Sequence, residues 1–404
     1  MNNNLKDHRQ IGQELDLFVV SERVGGGLPL FTPKGTIIRK VIHDFIEQLQ
    51  KEFGYSDVWI PHLAKAELYK LSGHLEKYPE YFKVKSSIGD EFVLKPMDCP
   101  HHMEIFRAKP RSYKDLPIAY NEFTTNYRDE QSGELNGLLR VRALTIDDCH
   151  IFCREDQILE EARKVYKTIV SFYKAFNFEI SVRLSFKDPK NKEKYIGLDK
   201  TWEKAENAIR ELAKDVEFEK RDGIGEAAFY GPKLDFMIKD VLEREWQLAT
   251  IQLDYFIPER LGVEYVDSDG SKKTPVVIHR AIAGSIERFI GILIEQYQGA
   301  FLTWLSPVQV IIVPISDRNL KYARNVFDQL LTSKIRVEID SRAETMQSKI
   351  RDATLQKIPY ILIIGGREEK EGKVAIRTRE GKDLGTQKID EFIAKVKSEI
   401  ESKI

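Results

Sequence analysis

A chain of 404 residues, 42% hydrophobic and 31% charged, is too long for one ordinary core and too apolar for a disordered segment. Its net charge of −1 excludes nucleic-acid binding by overall attraction, so a polyanion must be met by local patches. Cys99, Cys149 and Cys153 are an odd, sparse set that argues against a disulfide framework. No window approaches the run of roughly 18 apolar residues that a membrane helix needs, and the opening MNNNLKDHRQ lacks the apolar stretch of a signal peptide. A soluble, cytoplasmic protein of two or three domains, with no membrane partner, is the expectation.

In chain order, His8–Phe18 reads as a short helix, broken by Gly25-Gly26-Gly27 and Pro29. Ile37, Ile38, Val41, Ile42, Phe45, Ile46 and Leu49 then recur at helical spacing, and the helix runs to Phe53. Tyr55–Ile60 reads as a strand stopped by Pro61, and Ala64–Ser72 as a helix ahead of Gly73-His74. Phe92–Lys95 is a strand leading into Pro96-Met97-Asp98-Cys99-Pro100-His101-His102, followed by a helix over Met103–Ala108. Thiolate and imidazole are favoured zinc ligands, but CPHH by itself is weak evidence for a metal: buried free cysteine is common, and adjacent histidines do not both point the same way.

Ile118–Arg128 and Leu138–Phe152 flank a Gly- and Ser-containing loop, the pattern of an antiparallel hairpin. Arg128, Glu130, Arg140 and Arg142 bracket the loop, and Asp147, Asp148 and His150 lie on the returning strand. The hairpin therefore offers positive charge for phosphates, carboxylates for a metal or an amine, and an imidazole for a borderline metal. A solvated surface hairpin would carry similar charges. Beyond it, Ile158–Ala175 is a helix whose early acids and late lysine suit its dipole. Phe178–Phe186 is a strand, Trp202–Lys214 a helix, and Gly223–Gly231 a loop. Leu234–Ile238, Gln247–Leu253 and Val276–Ile278 add strands before an apolar helix over Ile282–Glu295. Gly284 and Gly291 in that helix admit either a ligand or a close helix–sheet contact. Residues 1–304 thus read as an α+β domain with a mostly antiparallel sheet.

Ser306-Pro307 marks a boundary, and residues 305–404 alternate strand and helix: Val310–Pro314, Tyr322–Leu331, Ile335–Ile339, Met346–Gln356, Tyr360–Ile364. Val374–Arg379 and a terminal helix over Asp390–Ser402 follow. Near-continuous apolar strands predict an α/β layer covered on both faces, with parallel crossovers. From Pro307 onward there are 19 Lys and Arg against 15 Asp and Glu, a balance of +4 that leans mildly towards a polyanion.

Taken together, KPMDCPHH, YRDEQSG with LLRVR, TIDDCHIF, AFYGPK, EWQLATIQLDY, VIHRAIAGSIERF and GKVAIRTREGKDLG resemble the threonyl-tRNA synthetase family of class II aminoacyl-tRNA synthetases, in order and over essentially the whole chain. The resemblance implies a class II catalytic domain with motifs 1, 2 and 3, followed by an anticodon-binding domain. It implies an ATP-dependent ligase that forms threonyl-adenylate from L-threonine and transfers it to threonine tRNA. It also implies one catalytic Zn²⁺ per chain on Cys99, His150 and His279, chelating the amine and hydroxyl of threonine so that valine is rejected. Asp148 matches the partner of the substrate amine, and Tyr230 and Gln252 are further substrate-binding positions. Arg128 matches the motif 2 arginine on the α-phosphate, Arg140 one near the γ-phosphate, and Arg288 the motif 3 arginine against adenine and the phosphates. Glu130 and Gln247 match positions that hold Mg²⁺ on ATP. His74 matches a base for the tRNA ribose hydroxyl, with a positioning or structural role as the alternative. Glu368 and Arg377 match anticodon contacts. FGYSDVWIPHL resembles motif 1, which implies a homodimer.

The chain departs from the family's pattern at Leu144, where an aromatic residue stacks on adenine, and at Ile146, where glutamine is usual. Asp98 and Asp129 stand where the family has asparagine. Losing the stack is expected to weaken ATP binding by about 1 kcal/mol. The sequence is also expected to lack the family's N-terminal editing region, in which case serine, which carries both an amine and a hydroxyl, would be activated and seryl-tRNA would persist. Three alternatives stand beside the resemblance. A prolyl or histidyl relative conflicts with the Cys–His–His set, a non-catalytic paralogue is motivated by Leu144 and Ile146, and a structural zinc protein requires a fourth protein ligand.

Overall fold

The computed structural model of the chain describes residues 5–403. One unit comprises Val20–Leu28 and His43–Phe289; the other comprises the described part of Met1–Val19 with Pro29–Ile42 and Ile290–Ile404.

The first unit is built on an eight-stranded sheet. Its strands are β1 (Ser56–Asp57), β2 (Ile118–Tyr127), β3 (Ala143–Cys153), β4 (Ile180–Phe186), β5 (Glu219–Ile224), β6 (Lys233–Lys239), β7 (Glu245–Asp254) and β8 (Val276–Ala281). Their spatial order is β5-β4-β6-β7-β8-β3-β2-β1. The two outermost pairs, β5 with β4 and β1 with β2, are parallel; every pair between them is antiparallel. The hairpin expected around residue 130 is the β2–β3 pair, with ten residues in register from Ile118↔Phe152 to Tyr127↔Ala143.

Several elements differ from the sequence expectation. The returning strand starts at Ala143, not Leu138, because Asn136 and Arg140 close a tight turn that consumes Leu138–Leu139. The strand expected over Tyr55–Ile60 is shortened to two paired residues, and Ile60 instead donates its N–H to the Glu122 carboxylate at 2.9 Å. Glu219–Ile224, expected in part as a loop, is an edge strand; its side chains face solvent on both sides, so it carries no apolar alternation. The helix expected from Ile282 begins at Ile286, because Gly284 takes φ +64° and the N–H groups of Ile282 and Ala283 are bound by Asp147.

Helices cover the apolar side. The helix α1 (Pro33–Gln50) supplies Phe45, whose ring packs 5.6 Å from Phe172. A short helix α2 (Cys99–Arg107) follows the CPHH run, and α3 (Ile158–Lys174) buries Ile158, Ala162, Val165, Ile169, Phe172 and Tyr173. That spacing of three and four residues is one face of a helix. Helix α4 (Asp199–Leu212) buries Trp202, Ala205, Ile209 and Leu212 in the same way, and α5 (Ile286–Tyr297) begins with the Glu287-Arg288 pair.

In the second unit, β9 (Val310–Pro314), β10 (Val337–Ile339), β11 (Tyr360–Ile364), β12 (Lys373–Thr378) and β13 (Asp383–Lys388) form a sheet of order β10-β9-β11-β12-β13. The crossovers through α6 (Leu320–Thr332) and α7 (Met346–Leu355) are parallel, whereas β12 and β13 return antiparallel. Alternate residues of β9 serve the two faces: Val310 and Ile312 join a core with Val326, Leu330 and Phe392 of the terminal helix α8 (Ile389–Ser402), while Ile311 and Val313 join Ala353 and Ile358. Both faces are therefore covered, as the continuous apolar strands require. Among the described residues no helix is long and apolar enough to cross a membrane.

Candidate active site

Strand register brings the candidate residues into one line. Gln252 on β7 lies opposite His279 on β8, His279 opposite His150 on β3, and His150 opposite Tyr120 on β2. Because side chains alternate along a strand, His150 shares its face with Asp148, Ile146 and Leu144, and Gln252 shares its face with Thr250 and Leu248. Asp148, Ile146, Leu144, Gln252, Thr250 and Leu248 wall a cavity of ≈ 350 Å³ that also includes Arg128, Glu130, Arg140, Tyr230, Gln247, His279 and Arg288. Two glycines let the backbone close around it. A Cβ on Gly231 would sit 1.9 Å from the Leu253 carbonyl oxygen, and one on Gly284, at φ +64°, would sit 2.8 Å from that of Leu248.

At the inner end, Cys99 opens α2 and reaches His150 and His279, so that one ligand atom from each lies within 4.8 Å of the other two. All three are buried. His150 Nδ1 is 2.8 Å from His102 Nδ1, and its buried Nε2 has no hydrogen-bond partner. His279 Nε2 is 2.9 Å from Asp254 Oδ2. Burial holds the Cys99 thiol well above its ordinary pKa, helped by Asp148, Asp254 and Asp98. Burial likewise holds His150 well below its ordinary value, with His279 adding to the effect. A thiol and two imidazoles, one with an orphaned buried nitrogen, fit a borderline divalent metal such as zinc. Three protein donors leave such an ion a position for a further ligand.

Asp148 stands between this cluster and the cavity. Burial raises its pKa far above the carboxylate range, and the facing Asp98 carboxyl raises it further. Asp98 is itself held by Lys95 Nζ at 2.8 Å and by Asn126 Nδ2 at 2.9 Å. A cationic group entering beside Asp148 would relieve that cost of burying negative charge. Tyr230 is buried, with its ring 5.1 Å from that of His279.

The outer end is positive. Burial lowers the Arg288 pKa, and the charges of Arg128 and Arg140 lower it further. Arg288 donates to the Leu139 carbonyl at 2.9 Å and lies 5.5 Å from the centre of the Trp246 ring. Arg140 pairs with Glu130 at 2.6 Å and Glu134 at 2.9 Å, and Arg128 points at the Met97 sulfur, 3.5 Å away. Gln247 is held by Asp235 at 2.8 Å. Three guanidinium groups converging on one cavity make an anion site suited to bidentate phosphate contacts.

His74 is not in the cavity wall. It is fully buried between Ser72 Oγ at 2.8 Å and Cys99 Sγ at 3.4 Å, and burial holds its pKa down to about 3. Glu368 and Arg377 belong to the other unit. Glu368 caps the short helix Gly366–Glu371 by accepting from Gly365 N at 2.9 Å, and Arg377 on β12 has a buried Nε without a partner. Three residues around the cluster were not singled out for these roles in the sequence: Asp254, Asp98 and His102. Asp254 lies two residues beyond Gln252 on one strand face, and His102 one helical turn after Cys99, so strand and helix periods were the available signals. His101, its neighbour, turns away to Tyr69 OH, 3.3 Å distant.

A family profile described as "tRNA synthetase class II core domain (G, H, P, S and T)" matches residues 82–297, and one described as "Anticodon binding domain" matches residues 309–399. A threonine–tRNA ligase of Cytophaga hutchinsonii is 50% identical over 399 residues, covering 98% of this chain and 62% of that protein. The threonine–tRNA ligase of Synechococcus elongatus is 47% identical over 99% of this chain and 67% of its own length. The chain thus spans less than two thirds of the length of the Cytophaga relative, 62% of it. Among solved structures, the RNA binding domain of threonyl-tRNA synthetase from Cryptosporidium parvum superimposes with a TM-score of 0.92 at 34% identity, over 97% of this chain and 98% of that one. A prolyl-tRNA synthetase from the same organism shares the fold at a TM-score of 0.74.

Proposed function

Because the chain belongs to the class II tRNA synthetases, in the threonine–tRNA ligase group, we propose that it activates L-threonine with ATP and transfers the threonyl group to threonine tRNA. The observation that carries this reading is one cavity walled by His279 of the Cys–His–His cluster and by three arginines, Arg128, Arg140 and Arg288. The family match supports a ligase, and the cavity supports its substrates.

In this reading Arg128 engages the α-phosphate, Arg140 the γ-phosphate, and Arg288 both phosphates and adenine. The threonine carboxylate attacks the α-phosphorus and pyrophosphate leaves, so the arginines balance charge as it shifts along the triphosphate. No enzyme nucleophile takes part; rate comes from holding the two substrates in line. Glu130 and Gln247 would hold Mg²⁺ on ATP. Asp148 receives the substrate ammonium, and Tyr230 and Gln252 close the amino-acid pocket. Cys99, His150 and His279 would hold zinc, which when bound supplies coordination positions that an amine and a neighbouring hydroxyl can fill. Leu144 and Ile146 leave an apolar wall beside the adenine site. His74, buried outside the cavity wall with its two ring nitrogens against Ser72 Oγ and Cys99 Sγ, is read in its alternative, positioning role and not as the acceptor of the ribose hydroxyl proton.

Residues 305–404 are read as the anticodon-binding domain, with Glu368 and Arg377 as contacts, and residues 1–304 as the catalytic domain. A homodimer through the motif 1 segment is supported by the short edge strand Ser56–Asp57, followed by Trp59 at 76% exposure. A cytoplasmic location suits an enzyme of translation. Threonine-dependent exchange of pyrophosphate into ATP tests the reading. Exchange is expected with threonine and not with valine, and its absence from the zinc-loaded protein would overturn the assignment in favour of a non-catalytic paralogue.

A further inference from the structure

The two candidate histidine ligands each spend one ring nitrogen on a specific neighbour, and it is a different nitrogen in each: Nε2 in His279 and Nδ1 in His150. Asp254 is fully buried at the end of β7. Its Oδ1 accepts from the backbone N–H groups of Phe256 and Ile257 at 2.8 and 2.9 Å, and its Oδ2 lies 2.9 Å from His279 Nε2. With Oδ1 already accepting twice, Oδ2 is placed to accept from His279 Nε2, an arrangement that puts the imidazole proton on Nε2 and the lone pair on Nδ1. For His150 the arrangement is reversed: Nδ1 faces His102 Nδ1 at 2.8 Å, and the Nε2 atoms of both rings are buried without a partner, that of His150 belonging to the metal cluster. A hydrogen bond between two Nδ1 atoms needs one proton. When His150 carries it, His102 accepts and His150 Nε2 has its lone pair free.

We infer that Asp254 and His102 are positioning residues that select the tautomers of His279 and His150, so that a metal is bound through Nδ1 of His279 and Nε2 of His150. The inference rests on the zinc reading of the Cys99–His150–His279 cluster and adds which nitrogens bind and what selects them. The partner atoms also hold the rings in place, since a rotated imidazole would leave Asp254 Oδ2 or His102 Nδ1 buried without its partner. Accepting a proton from a metal-bound imidazole increases its basicity, so these neighbours raise affinity as well as fixing geometry.

Asp254→Asn isolates the effect in the full-length chain. The amide oxygen can still accept from Phe256 and Ile257, while the amide nitrogen becomes a donor facing His279 Nε2. That forces the imidazole proton onto Nδ1 and removes its lone pair from the site. Zinc is stripped with a chelator and returned in competition with a chromophoric one. The variant is expected to bind zinc about 10- to 100-fold more weakly than the parent, with the urea midpoint of the zinc-free protein unchanged. The cobalt-substituted variant should lose intensity in the visible bands that mark tetrahedral coordination. A second pair guards against misfolding: His102→Leu should weaken zinc binding, and His102→Asn should restore it, because the amide oxygen stands where Nδ1 stood. Equal zinc affinity in Asp254→Asn and parent overturns the inference while leaving the zinc site intact. Failure of the parent to bind zinc overturns the zinc reading and this inference with it.

Discussion

Asp147 and Arg280 hold each other at 2.7 Å, each one residue out of phase with a cavity residue, Asp148 and His279 respectively. Both are almost fully buried. Arg280 donates also to the Asp147 carbonyl at 3.0 Å and to Asn121 at 2.9 Å, while the Asp147 carboxylate accepts from Ile282 N and Ala283 N at 2.9 and 3.1 Å. One ion pair thereby ties β2, β3 and β8 together and fixes the turn that leads to Arg288. The cluster at one end of the cavity and the arginines at the other are referred to the same anchor.

Removing one partner strands the other charge in the interior. Asp147→Ala is expected to lower stability by about 3–5 kcal/mol, measured by urea unfolding of the zinc-free protein. A loss below about 1 kcal/mol would mean that Arg280 finds another partner.

Cys99 is the only thiol in the candidate metal cluster. Cys99→Ala is expected to reduce bound zinc from one per chain to none in metal analysis and to abolish threonine-dependent pyrophosphate exchange. Stoichiometric zinc in the variant would remove Cys99 from the site.

Arg288 is buried among like charges, which is costly unless an anion arrives to offset it. Arg288→Ala should lower the rate of pyrophosphate exchange by on the order of 100-fold and raise the KM for ATP, with the KM for threonine little changed. An equal rise in both KM values would point to a general collapse of the cavity instead.

In the second unit, Arg377 is the proposed anticodon contact. Arg377→Ala should weaken tRNA charging and leave threonine-dependent pyrophosphate exchange intact, since activation needs no tRNA. Equal loss of both activities would place the effect in folding.

Asp340 supplies a dependence on pH. Hydrogen bonds from Arg342, at 2.9 Å through Nε and 2.6 Å through Nη2, hold its carboxyl below the ordinary value. A depressed folded-state pKa means that the unfolded chain binds the proton more readily. The stabilisation is therefore complete above the unfolded value of about 3.9 and lost as pH falls through the lower folded one. Denaturant midpoints between pH 5 and pH 2 should fall less steeply for Asp340→Asn than for the parent.

The sequence by itself determined the secondary structure wherever one period ran long enough: the helix over Ile158–Lys174, the paired strands around residue 130, and the alternating units after Ser306. Its motif order also pointed to the family. Local pattern failed where the chain is shaped by distant partners. Glu219–Ile224 is a strand because β4 offers it an edge, and Ile282 and Ala283 stay out of the following helix because Asp147 takes their N–H groups. The site is the strongest case. Cys99, His150 and His279 are separated by up to 180 residues, and nothing local relates them. Strand register across β7, β8 and β3 aligns Gln252, His279 and His150, and the start of α2 brings Cys99 to them. Only tertiary structure decided which nitrogen of each histidine a neighbour engages, because that depends on Asp254 and His102 coming within hydrogen-bond distance of His279 Nε2 and His150 Nδ1.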